Sequence, residues 1–182
     1  MKREATKYLY EWKDRKNRKP LVIRGARQTG KTWLVRDFGK KAYKNYVEIN
    51  FDKNKAIAKL FEASDVKEII KNLDLELEVS IEEETLLFLD EIQNYPAVFA
   101  KLRYFYEDLP DLHIIAAGSL LEFLLAEHSF SMPVGRIEYL FLGPLNFEEF
   151  LSGIGQKKLV DYLREYSFDK QISDLIHNKL LK

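Results

Sequence analysis

The sequence predicts an α/β fold in which a parallel sheet is covered by helices on both faces. Two observations carry that prediction. Leu21–Ile23, Leu86–Leu89 and Leu112–Ala117 are almost continuously apolar, as expected of strands buried on both sides, and lack the alternation of a half-exposed strand. Segments of helical periodicity separate them, so successive strands can return in parallel through crossover helices. The chain of 182 residues, 46% hydrophobic, is long enough for one full core.

Taken in order, Ala5, Tyr8, Leu9 and Trp12 predict an amphipathic helix within 4–17, ended by Asn17 to Pro20. The first strand, Leu21–Ile23, leads through a glycine-rich turn into a helix carrying Trp33, Leu34, Val35 and Phe38. Tyr46–Phe51 reads as the second strand, and 54–73 as helical. Over 75–82, apolar residues alternate with Glu76, Glu78, Ser80 and Glu82, which fits a strand and a connecting element equally. Leu86–Leu89 is the third strand, and Pro96 opens a helix that Pro110 ends. Leu112–Ala117 is the fourth strand, 120–127 continues as a helix, and Tyr139–Leu142 is the fifth strand. Asn146 caps a short helix over 147–151 with Glu149 as its reciprocal partner, and 156–182 is helical without a strand.

Composition excludes several chemistries. With no cysteine there is no disulfide, thiolate zinc site, iron–sulfur cluster or cysteine nucleophile, and the three histidines lack ligand spacing. No run reaches the length of a membrane span, and the expectation is a soluble, cytoplasmic protein without a membrane partner. Residues 1–44 hold 15 Lys/Arg against 4 Asp/Glu, whereas 45–94 hold 5 against 13. The basic segment suits nucleic acid as a partner, a solvated helix face, or charges committed to a polyphosphate.

Gly25-Ala26-Arg27-Gln28-Thr29-Gly30-Lys31-Thr32 fits the phosphate loop G-x-x-x-x-G-K-[ST] in full, between an apolar strand and a helix. The two glycines let the backbone fold around phosphates, and the helix N-terminus presents N–H groups to negative charge. These eight residues and Trp33 are the candidate nucleotide-binding set. Lys31 reaches the β and γ phosphates, and Thr32 offers a hydroxyl to Mg2+. Asp90 and Glu91 end the apolar strand 86–89, with Asp90 placed to hold magnesium and Glu91 to orient or deprotonate a water. Gln93 and Asn94 extend the polar rim, as a relay or as loop residues. The cofactors expected are ATP and Mg2+.

The pieces GARQTGKTWLVRDF (25–38), VEINF (47–51), LLFLDEIQNYP (86–96), AAGSLLEFLL (116–125), VGRIEYLFLGPLNFEEFL (134–151) and IHNKLLK (176–182) together resemble a prokaryotic family of AAA+ P-loop ATPases that carries a second, uncharacterised C-terminal domain. The resemblance implies a five-stranded sheet ordered 5-1-4-3-2, a nucleotide-binding core over 1–152 and a partial helical lid over 153–182. It also implies a sensing role for Ser119, which could equally cap the helix that follows. For Arg136 it implies an arginine finger acting across a homo-oligomer boundary, with an ordinary ion pair as the alternative. Members usually continue into the rest of the lid and the second domain, whereas this chain stops at Lys182, as an excised domain or a naturally short protein. Arg164 is a weak counterpart for the lid arginine. The function expected is Mg-dependent ATP hydrolysis coupled to an unknown partner or conformational change; the alternative is a nucleotide-gated interaction module with little hydrolysis, one able to bind DNA.

Overall fold

A computed structural model describes residues 3–119, 135–167, 169 and 171–180. By packing, the chain divides into two units, Ala5–Pro144 and a second containing residues 3–4 and 145–180. The helix expected over 147–151 thus packs with the helices after it.

The larger unit is built on five parallel strands: β1 (Leu21–Arg24), β2 (Asn45–Asn50), β3 (Thr85–Asp90), β4 (His113–Gly118) and β5 (Glu138–Phe141). Their order across the sheet is β2-β3-β4-β1-β5, which is the 5-1-4-3-2 arrangement that the resemblance implies. Register aligns the strand ends that carry the site, with Asn50 beside Asp90 and Asp90 beside Ala117. Helices α1 (Ala5–Lys13) and α2 (Lys31–Ala42) precede and follow β1, and α3 (Val66–Leu77) and α4 (Pro96–Asp108) lie on either side of β3 in the chain.

The apolar strands are covered on both faces, and successive residues of one strand serve different cores. Leu86 and Phe88 pack with Trp12, Leu34 and Phe38, whereas Leu87 and Leu89 pack with Phe61, Ile69, Phe99 and Phe105. This double burial explains why these strands show no polar alternation.

The structure corrects two expectations, the helix over 54–73 and the extent of the first helix, and decides the segment left open over 75–82. The helical stretch over 54–73 is a 3-10 turn, Ile57–Glu62, followed by a separate α3. Asp65 makes the new start by accepting from the Lys67 N–H at 2.8 Å, an N-cap that competes with continuation of the preceding turn. The alternation over 75–82 is not a strand. Helix α3 runs to Leu77, Glu78 turns into the left-handed region at φ 52, and Leu75 is 71% exposed. The first helix also stops at Lys13, short of the expected 4–17.

In the second unit, α5 (Phe147–Gly153) begins with the expected capping box: the Glu149 N–H donates to Asn146 Oδ1 at 2.8 Å and the Asn146 N–H to Glu149 Oε2 at 3.1 Å. Glu149 is buried and also accepts from the Glu4 N–H at 2.8 Å and pairs with Arg3 at 3.1 Å. Burial alone would raise its carboxyl, but these donors outweigh it and hold the group below the ordinary range. Helices α6 (Lys157–Glu165) and α7 (Asp174–Leu180) supply Leu159, Val160 and Ile176 to a small core with Leu151.

Candidate functional site

The site forms at the carboxyl ends of β1, β3 and β4, the usual ligand-binding end of a parallel sheet. Directly after β1, Gly25 adopts φ 150, and a Cβ there would collide with the carbonyl oxygen of Leu142 beyond β5. Only glycine fits that close approach. Gln28 at φ 65 and Gly30 at φ 88 continue the turn, and Thr29 Oγ1 donates to the Ala26 carbonyl at 3.0 Å. Gly30 then serves as N-cap of α2 without a side chain over the helix end. The N–H groups of that first turn have no intrahelical acceptor and, with the helix dipole, suit an anion.

Lys31 is 8% exposed, and its ammonium donates to the Gly25 and Ala26 carbonyls at 2.8 and 2.7 Å. Burial pushes its pKa down, against the opposing pull of Glu91 and Asp90. The loop thus holds the cation on its own carbonyls.

The next residue joins the loop to β3. Thr32 Oγ1 donates to Asp90 Oδ2 at 3.1 Å, across a sequence separation of 58 residues. Asn50 Nδ2, at the end of β2, donates to the same oxygen at 3.1 Å, while its Oδ1 accepts from the Asp52 and Lys53 N–H groups, each at 3.1 Å. Asp90 is 3% exposed; burial raises its carboxyl, and the bonds from Thr32 and Asn50 pull the other way. These are hard oxygen donors of the kind magnesium prefers. Among the described residues no cluster of three or more His, Cys, Asp or Glu forms a metal cage. A divalent ion here would therefore take one or two protein oxygens and complete its shell with water and phosphate, as Mg2+ commonly does. On that test the donor set fits.

Arg27, Gln28, Lys31, Trp33, Glu91 and Ser119 are among the residues lining a cleft of about 640 Å³ beside the loop. Glu91 is held at φ 57, ψ 40, and its carboxylate accepts from Gln93 Nε2 at 2.6 Å. Ser119 follows β4 directly, and the helix expected after it lies outside the described residues. Arg136 does not line the cleft; its Nε lies 3.1 Å from Glu107 Oε1 on α4, a carboxylate that Arg103 shares. Arg164 pairs with Glu148 at 2.7 Å within the second unit.

The sequence reading passed over Asn50 and Arg36. Arg36, on the cleft wall, donates through Nε and Nη2 to both oxygens of Glu48 at 2.8 and 2.6 Å. That fork, with a further bond from Tyr46, holds Glu48 below the ordinary carboxylate range despite its partial burial. Asn50 meets Asp90 only through the pairing of β2 with β3, which spacing along the chain does not show. The basic first segment is also largely committed. Arg15 pairs with Glu138 and Lys41 with Asp37, while Lys13 and Arg18 donate to the Ala42 and Asp111 carbonyls. Lys13, Arg15 and Arg18 thus join separate segments of the fold, and the Lys41 pair lies within α2.

A family model described as an AAA domain matches residues 17–151. The chain belongs to this AAA domain family. At the level of the family the function is ATP binding and ATPase-like chemistry. Among solved structures, this AAA domain is similar to a chain in a structure of Drosophila ORC bound to DNA, with TM-score 0.54 and 18% identity over 88% of this chain. That likeness shows the fold, and the match spans 48% of the other chain. No curated protein matches the chain. Among the described residues of this AAA domain, no helix is long and apolar enough to cross a membrane.

Proposed function

We propose that this AAA domain binds Mg-ATP in the cleft and hydrolyses it slowly, with Glu91 directing a water at the γ phosphate. The observation that carries the reading is the bond from Thr32, which lines the cleft, to Asp90, joining the phosphate loop to the carboxylate strand. In this reading the triphosphate lies on the N–H groups of the loop and of the first turn of α2. Lys31 exchanges the Gly25 and Ala26 carbonyls for the β and γ phosphate oxygens, which stabilises developing charge. Magnesium, held by Thr32 and Asp90, would supply charge neutralisation at those oxygens. Ser119 reports on the γ phosphate from the end of β4. Arg136 acts on the site of a neighbouring copy, since in its own chain it is tied to Glu107 outside the cleft. The helices over 153–180 are assigned to a helical lid.

Phosphate release at saturating Mg-ATP tests the reading, measured with and without duplex DNA at fixed ionic strength because nonspecific nucleic-acid affinity varies steeply with salt. Glu91→Gln is expected to retain ATP affinity and lose turnover, the mark of an interaction that matters in the transition state. Equal turnover in both proteins would assign the water to another group. ATP binding by the wild type without any phosphate release would instead favour a nucleotide-gated interaction module.

A further inference from the structure

Gln93 has a carboxamide with one half engaged and the other idle. Its Nε2 donates to Glu91 Oε2 at 2.6 Å, and that orientation is dictated by an ionised carboxylate, which only accepts. The Gln93 Oε1 takes no part in that bond; it is buried and has no hydrogen-bond partner among the described residues. A buried acceptor left unpaired is costly, and such groups call for an explanation.

The local backbone accounts for how the pair is held. Glu91 sits in the left-handed region and Ile92–Asn94 forms a 3-10 turn, closed by the Asn94 N–H donating to the Glu91 carbonyl at 3.3 Å. That turn brings the side chain two residues on back to the carboxylate, and both residues line the cleft. Two neighbouring side chains of the cleft wall thus offer acceptors, the carboxylate of Glu91 and the idle oxygen of Gln93. What satisfies both is a small molecule with two donors, and water is the smallest.

We propose that Gln93 is a positioning residue for the attacking water, its Oε1 accepting one O–H while Glu91 accepts the other. The inference rests on the hydrolytic reading above and deepens it. The water oxygen forms a bond to the γ phosphorus as the bond from that phosphorus to the β,γ-bridging oxygen breaks, its electron pair leaving with ADP. The proton directed at Glu91 passes to the carboxylate and then to solvent. The proton directed at Gln93 stays on the oxygen and leaves with hydrogen phosphate. Fixing both O–H groups points a lone pair of the water at phosphorus, and this orientation is the contribution assigned to Gln93.

The test uses the whole chain with Gln93→Leu, which removes both functions of the amide, and Gln93→Glu, which keeps its shape but loses the donor and places like charge beside Glu91. Phosphate release is measured with affinities for ADP plus aluminium fluoride, which mimics the transition state and its in-line water, and for ADP plus beryllium fluoride, which mimics bound ATP. Turnover and aluminium fluoride affinity are expected to fall about tenfold or more, as for a hydrogen bond realised only in the transition state, with beryllium fluoride affinity held within about twofold. Unchanged turnover in both variants overturns the proposal. So does an equal loss of both fluoride complexes, which marks a merely structural residue. If Gln93→Leu does not fold, Gln93→Glu decides the outcome by the same criteria. A wild-type chain that releases no phosphate defeats the hydrolytic reading itself, and is distinct from a wild type that turns over and is matched by its Gln93 variants.

Discussion

His113, at the start of β4, makes the stability of this fold depend on pH in a way that can be measured. The Tyr43 hydroxyl lies 2.5 Å from His113 Nδ1, and the rings of Tyr43 and Trp12 meet the imidazole edge-on. Burial raises the Tyr43 pKa well beyond its ordinary value, so the phenol keeps its proton and donates it to Nδ1. Burial first, then the positive charges of Arg18 and Lys13, push His113 from 6.5 down to about 3. The sign follows from linkage: below pH 6.5 the unfolded chain takes up a proton that the folded chain refuses until about pH 3, so stability falls as pH falls across that window. Working from these two values, lowering the pH from 7.5 to 5 removes about 2 kcal/mol. The assay is urea unfolding at several pH values for the wild type and for His113→Asn, whose amide oxygen can accept from Tyr43 but does not titrate. Glu48 and Glu149, whose pKa values are lowered, lose their contributions below the ordinary carboxylate value of 4.5, outside the range compared. Asp90, with a raised pKa, acts in the opposite direction but equally in both proteins. The wild type should lose about 2 kcal/mol more than the variant between pH 7.5 and 5. Parallel losses in the two proteins would refute a neutral, half-buried His113.

Three further outcomes concern the site. Lys31→Ala is expected to weaken ATP binding by roughly tenfold to a hundredfold, the worth of one charged contact, while the fold persists; calorimetry and circular dichroism check both halves. Gly25→Ala should destabilise the protein by roughly 1–3 kcal/mol in thermal or urea unfolding through backbone strain, with the added collision against the Leu142 carbonyl displacing the phosphate loop. Arg136→Ala should leave ATP affinity and folding nearly unchanged but flatten the rise of turnover per molecule with protein concentration, as expected if Arg136 serves a neighbour's site. Mixing it with excess Glu91→Gln protein, whose Arg136 is intact, should restore part of the activity; specific activity independent of concentration in the wild type, with no rescue, would leave Arg136 as an ion pair with Glu107.

The sequence by itself determined the features that are written locally. The phosphate loop is eight contiguous residues whose types follow from backbone shape and charge, and the strand preceding Asp90 is legible because burial on both faces demands an unbroken apolar run. The Asn146–Glu149 cap is local too, since both partners lie within one helical turn. What the tertiary structure decided depends on which distant segments become neighbours. Pairing of β2 with β3 brought Asn50 to Asp90, and helix α2 beside β2 brought Arg36 to Glu48; neither is visible in spacing along the chain. The alternation over 75–82 left a strand and a connecting element equally open because period 2 signals a strand only where one face is buried, and there Leu75 meets solvent at the end of a helix. The same holds for Arg136, whose partner Glu107 stands 29 residues away on α4. Short-range sterics and burial leave a periodic mark on a sequence, whereas the partner of a charged side chain is chosen only when the elements pack.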